Sequence, residues 1–179
     1  MYIQRDMDAA LISWKTEWNR KPLLLRGVRQ CGKTSAVRHF ADQFENYVEI
    51  NFEENERYHG IFDRDFNVRR ILAALELEAG KRIFPGKTLL FLDEIQTCPR
   101  AITALRYFYE QMPELHVIAA GSLLEILLNG KRRKDKLNFP VGRVRSMFLY
   151  PLSFSEFLRG TGNEMLCDYL NREKEMPPS

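Results

Sequence analysis

Five short apolar runs punctuate the chain, at residues 23–26, 47–52, 88–92, 116–120 and 146–150, and most alternate little with polar residues. Runs of this kind read as strands buried on both faces. Between them the apolar positions recur at helical spacing over 33–44, 68–79 and 102–111, with a shorter helical stretch at 122–128. Near the start, Met7, Leu11, Trp14 and Trp18 fall at intervals of four, three and four residues, a stripe along one face of a helix within 1–20, ahead of Lys21-Pro22. Strand alternating with helix predicts a parallel sheet sandwiched between helical layers by right-handed crossovers. The segment 53–66 is polar and lacks a clear period, so it reads as a loop or a short helix, and a further helix starts at SFSEFL after Pro151.

Composition narrows the class without deciding it. A length of 179 residues fits one domain, and 45% hydrophobic with 28% charged residues describes an ordinary globular protein. Twenty-seven basic against 24 acidic side chains leave +3, too balanced to call for an acidic partner. Cys31, Cys98 and Cys167 are odd in number and widely spaced, which suggests neither a disulfide framework nor a zinc site and fits a reducing, cytoplasmic setting. The N-terminus interleaves charges and carries no signal sequence. The longest apolar region, 117–128, is broken by Ser122 and Glu125 and falls short of the ~20 residues a membrane span needs, so no membrane partner is expected. The basic cluster 131–136 (KRRKDK) reads as a solvated loop, with nucleic-acid contact as the alternative.

The chemistry is concentrated in two places. Gly27-Val28-Arg29-Gln30-Cys31-Gly32-Lys33-Thr34 fits G-x-x-x-x-G-K-[ST], after an apolar strand and before an amphipathic helix. In such a loop the glycines let successive N–H groups curl around phosphate oxygens, aided by the positive end of the following helix, which Ser35 continues. Lys33 reaches the β- and γ-phosphates, and the Thr34 hydroxyl ligates Mg²⁺. Cys31 reads as a small side chain in the cradle, or as a thiol activated by the helix N-terminus. Sixty residues beyond Lys33, the run TLLFL ends in Asp93-Glu94. A carboxylate at that strand end holds Mg²⁺, and the next one polarises an attacking water, which makes Asp93 the metal candidate and Glu94 the general base. Ser122, just past the fourth run, orients that water or caps the helix after it.

Taken together, RGVRQCGKT, LDEIQ, AAGS and FPVGRVRSMFLYPLSFSEFL resemble the predicted AAA-type ATPases of bacteria and archaea, over nearly the whole chain. The resemblance implies an α/β P-loop NTPase three-layer sandwich whose five-stranded parallel sheet runs in the order 5-1-4-3-2. It implies ATP and Mg²⁺ as cofactors, Lys33 and Thr34 at phosphate and metal, Asp93 and Glu94 at metal and water, and Ser122 as the polar sensor. It offers Arg143 as an arginine finger reaching a neighbouring subunit, with Arg145 in reserve; a surface arginine on a basic loop is the plainer alternative. A homo-oligomer is therefore among the expected partners. In that family a C-terminal domain follows the core, so 1–179 reads as one ATPase domain and 153–179 as the start of a truncated extension. No arginine matches the second sensor, which the family carries on its C-terminal lid.

The first functional expectation is an ATP hydrolase that drives conformational change in an attached domain or partner. A slow nucleotide-dependent switch and a nucleic-acid-linked ATPase are the alternatives. A small-molecule kinase lacks an acceptor-binding motif here, and a GTPase lacks an N-K-x-D segment.

Overall fold

The structure is a computed structural model and describes residues 2–122 and 139–175, with side chains to residue 169. Five strands form one wholly parallel sheet: β1 (Leu23–Arg26), β2 (Asn46–Asn51), β3 (Thr88–Asp93), β4 (His116–Gly121) and β5 (Arg145–Phe148). Their order is β2-β3-β4-β1-β5, the expected 5-1-4-3-2 read from the other edge. The helices are α1 (Met7–Thr16), α2 (Lys33–Ala41), α3 (Arg57–Asp63), α4 (Val68–Ala79), α5 (Pro99–Gln111), α6 (Phe154–Gly160) and α7 (Glu164–Glu175).

Because successive side chains on a strand point to opposite faces, each central strand feeds two cores. Leu23 and Leu25 of β1, Leu89 and Phe91 of β3, and Ile118 and Ala120 of β4 pack with Leu11 and Trp14 of α1 and with Val37 and Phe40 of α2. Their neighbours Leu24, Leu90, Leu92, Val117 and Ala119 face the other way, onto Phe62 of α3, Ile71 and Leu75 of α4, and Leu105 and Phe108 of α5. Strands β3 and β4 are buried throughout, whereas the edge strands β2 and β5 are only half-buried. The absence of alternation thus marks the middle of the sheet and not its borders.

Several boundaries differ from the sequence pattern. Helix α1 stops at Thr16, where Glu17 turns extended, so Trp18 is fully exposed and leaves the stripe that buries Leu11 and Trp14. The Trp14 indole N–H donates to the Lys21 carbonyl at 2.8 Å and draws the chain back toward β1 instead. Helix α2 gives way to turns at Asp42, three residues early. Helix α5 begins earlier than its apolar period, because Pro99 is suited to the first helical position. Within 53–66 the short-helix alternative holds, as α3. The helical stretch at 123–128 and the basic cluster 131–136 lie outside the described residues. Among those described, no helix is long and apolar enough to cross a membrane.

One buried titratable group sits at the sheet end where β4 begins. The His116 imidazole lies edge-on to Trp14 and Phe44, with ring centroids 6.0 and 4.8 Å away. Burial, followed by the charge of Arg20, pulls its pKa from 6.5 down to about 4. A depressed histidine contributes stability that is complete above its unfolded value and lost as the proton is taken up. We expect folding stability to fall between pH 6.5 and 4 by up to about 3 kcal/mol more in the parent than in a His116→Phe variant. Thermal unfolding of both proteins across that range checks it; parallel curves would remove His116 from the acid response.

Candidate functional site

Parallel pairing brings the chemistry to one end of the sheet. Strand β1 pairs with β4 and β5 on its two sides, so the residues after Arg26 emerge beside Gly121 and Phe148. There the chain must turn at once into α2. Gly27 does so against the backbone just past β5: a Cβ at this position would stand 2.3 Å from the Leu149 carbonyl oxygen and 2.9 Å from Cys31 Sγ. Only glycine fits. Gln30 and Gly32 take left-handed φ values of 62° and 95°, which roll the loop over before Lys33 opens the helix. The first turn of α2 carries neither a side-chain cap nor an acidic residue, so its N–H groups and dipole are left for an anion.

Lys33 is 6% exposed. Its ammonium donates to the carbonyl oxygens of Gly27 at 3.1 Å and Val28 at 2.8 Å, with Cys31 Sγ at 4.0 Å. These partners are all neutral, and a buried cation among neutral groups has an incentive to acquire an anion. The donor set therefore fits phosphate.

The acidic strand end meets this loop directly. The Thr34 hydroxyl donates to Asp93 Oδ2 at 2.7 Å, joining the first turn of α2 to the last residue of β3. Asp93 Oδ1 accepts the Glu94 N–H at 3.0 Å. Burial raises the Asp93 pKa above its ordinary 3.8, the Thr34 and Glu94 hydrogen bonds oppose it, and the Glu94 charge adds to the rise. A hydroxyl and a carboxylate in contact, with a second carboxylate adjoining, are the hard oxygen donors that Mg²⁺ prefers. Glu94 is half-buried and has φ 50°, a left-handed conformation unusual for a residue with a side chain. Its carboxylate accepts from Gln96 Nε2 at 2.6 Å and its carbonyl from the Thr97 hydroxyl at 2.9 Å, which pins it.

Ser122 is buried one residue beyond the Arg26–Gly121 pair, level with Gly27. The helix that it would cap lies outside the described residues. Val28 and Arg29 are exposed at the rim of the loop, and Ser35 lies in the first turn of α2. Arg143 is not brought to this end. It precedes β5, whose Arg145 pairs with Leu23 at the start of β1, so at least the length of β1, about 10 Å, separates it from Gly27. Its guanidinium pairs with Glu110 at 3.0 Å, a carboxylate shared with Arg106. Arg145 pairs with Glu17.

Sequence reasoning missed Arg5 and Glu156. The Arg5 guanidinium donates to the Cys31 carbonyl within the loop at 3.1 Å, and its Nε lies 3.1 Å from Glu156 Oε1. Nothing around Arg5 in the sequence marks it. The only hint at Glu156 was the S-x-x-E capping box, which the structure closes through Ser153.

Comparison with known proteins gives this geometry a context. A family model described as an AAA domain matches residues 19–158. Among solved structures, a Walker-type ATPase of Pyrococcus abyssi is similar with a TM-score of 0.58 and 17% identity, covering 99% of this chain and 60% of its own. The Orc1 protein of Aeropyrum pernix in complex with DNA has a TM-score of 0.51 and 14% identity, with 93% of this chain and 50% of its own covered. AMPPCP-bound DnaA of Aquifex aeolicus has a TM-score of 0.51 and 13% identity, with 92% and 53% covered. At these identities the likeness is one of fold, and the chain spans three-fifths or less of each neighbour. No curated protein matches it in sequence.

The raised Asp93 pKa carries a stability consequence. A carboxyl raised on folding favours the folded state when protonated, and that contribution is lost as pH rises through the folded value. Asp93→Asn can keep its oxygen on the Glu94 N–H and donate from its amide nitrogen to the Thr34 hydroxyl while carrying no charge, so the nucleotide-free variant should melt above the parent at pH 7. The gap should narrow as pH falls toward the ordinary carboxyl range. A lower melting temperature for the variant at pH 7 would contradict burial as the dominant influence on Asp93.

Proposed function

This chain belongs to the AAA domain family and is a P-loop ATPase module, and on that premise we propose that it binds ATP with Mg²⁺ at Gly27–Ser35 and hydrolyses it to drive conformational change in an attached domain or partner. The observation that carries the reading is the 2.7 Å hydrogen bond from Thr34 to Asp93, which joins the loop to the acidic strand end in one site.

In this reading the N–H groups of residues 27–35 cradle the phosphates, and Lys33 exchanges its carbonyl partners for β- and γ-phosphate oxygens. Thr34 and Asp93 hold the metal. Mg²⁺, when bound, neutralises charge on the phosphate oxygens and fixes their position. Glu94 accepts a proton from the attacking water, and its pinned backbone keeps the carboxylate beside Asp93. Ser122, at the level of Gly27, orients the water or the γ-phosphate. Arg143 faces the other end of the sheet, so its role as a finger belongs to a second copy, in which it would offset transition-state charge. The extension from Ser153 onward is the natural recipient of the conformational change, in the cytoplasm.

A slow switch is the second reading, and one contact favours it. Gln96 donates to Glu94 Oε2 at 2.6 Å, a bond that lowers the basicity of the carboxylate and competes with water for it. A nucleic-acid partner has for support the basic cluster and the likeness to Orc1, a protein solved with DNA.

Lys33→Ala should abolish Mg-ATP binding. Glu94→Gln should bind with parental affinity while phosphate release falls by about 10²-fold or more, the usual weight of a general base. Binding titration and phosphate release on the three proteins test this. Parental turnover in Glu94→Gln would remove Glu94 as the base, and a parent that binds without turnover would favour the switch.

A further inference from the structure

The N-terminal residues form a strap that touches three parts of the molecule in turn. The Tyr2 ring stacks on His39 of α2 with centroids 4.0 Å apart, and its hydroxyl donates to Asp8. Ile3 lies against α6, where a Cβ on Gly160 would stand 2.6 Å from its Cγ2. Between them Arg5, 8% exposed, reaches inward. Its Nη1 donates to the Cys31 carbonyl at 3.1 Å, and its Nη2 to the Tyr150 carbonyl just past β5 at 2.8 Å. Its Nε faces Glu156 of α6, also buried.

Glu156 is similarly committed. It accepts the N–H groups of Asp6 and Ser153, each at 2.8 Å. Burial opposes its ionisation, but these two bonds and Arg5 outweigh burial and bring its pKa below the ordinary carboxylate range.

The bond to Cys31 sets the orientation of a peptide. In a planar trans peptide the carbonyl and the following N–H point in opposite directions. Holding the Cys31 carbonyl on Arg5 therefore turns the Gly32 N–H away from Arg5. The guanidinium also lies close to Gly32, where a Cβ would stand 3.3 Å from Arg5 Nη1. An arginine fork serves the two carbonyls at fixed angles while its charge faces the Glu156 carboxylate, which a lysine cannot do.

We propose that Arg5 is a positioning residue that presets the phosphate loop for nucleotide, and that its pair with Glu156 couples the state of the loop to helix α6. The proposal rests on the reading of residues 27–35 as the nucleotide loop. Because coupling is reciprocal, nucleotide on the loop stabilises α6, and loss of the α6 contact weakens nucleotide.

Amide hydrogen exchange on the full chain, with and without Mg-ATP, is the direct test. Protection is expected at 27–34 together with 153–160. Protection at 27–34 alone would overturn the coupling while leaving the nucleotide loop standing; no binding at all would remove both. Arg5→Lys, which keeps the charge and loses the fork, should raise the ATP Kd about tenfold and erase the protection at 153–160. Glu156→Gln should do the same to a smaller degree and serves where Arg5→Lys fails to fold. A merely structural role would lower the melting temperature and leave the Kd of the folded protein within twofold of the parent, and that result would overturn the positioning role.

Discussion

The parallel pairing of Leu23–Arg26 with a strand on either side fixes where the chain leaves the sheet, and the loop, helix α2 and the acidic strand end are arranged around that exit. A strand buried between two neighbours cannot slide by one residue without turning Leu23 and Leu25 into the wrong core. Gly27 is therefore delivered to one place, hard against the Leu149 carbonyl. The same sheet brings Asp93, two strands away, to the Thr34 hydroxyl.

Having fixed the exit, the fold accepts unfavourable electrostatics around it. Lys33 is buried among neutral acceptors, burial penalises the charged form of Asp93, and Glu94 holds a strained backbone. None of these favours the nucleotide-free fold. The hydrophobic layers on both faces of the sheet supply the surplus that tolerates them. Arg5 and Glu156 differ, because each answers the other and both are supplied with backbone partners.

The strands, the loop and the acidic pair were legible in the sequence because each leaves a local signature: an apolar run, glycine spacing, adjacent carboxylates; the order of the strands came only from the family resemblance. Boundaries were less so. Trp18 kept the helical period of Met7, Leu11 and Trp14 yet stands in solvent, since the Trp14–Lys21 contact ends the helix first, and periodicity does not carry that information. Arg5 was invisible for a similar reason. Its partners are carbonyls of Cys31 and Tyr150, 26 and 145 residues away, and any residue type offers a carbonyl. The role of Ser122 stays divided because the segment it precedes lies outside the described residues.

The position of Arg143 has a consequence for symmetry. It stands where the strands begin and the loop stands where they end, so the two lie on opposite poles of the sheet. Were the pole of one copy to meet the opposite pole of another, the contact would join two unlike surfaces. A two-fold dimer meets this requirement only if a single patch spans both poles and is used twice. Head-to-tail contacts instead leave an open surface at each end, to be closed by a ring or extended into a filament.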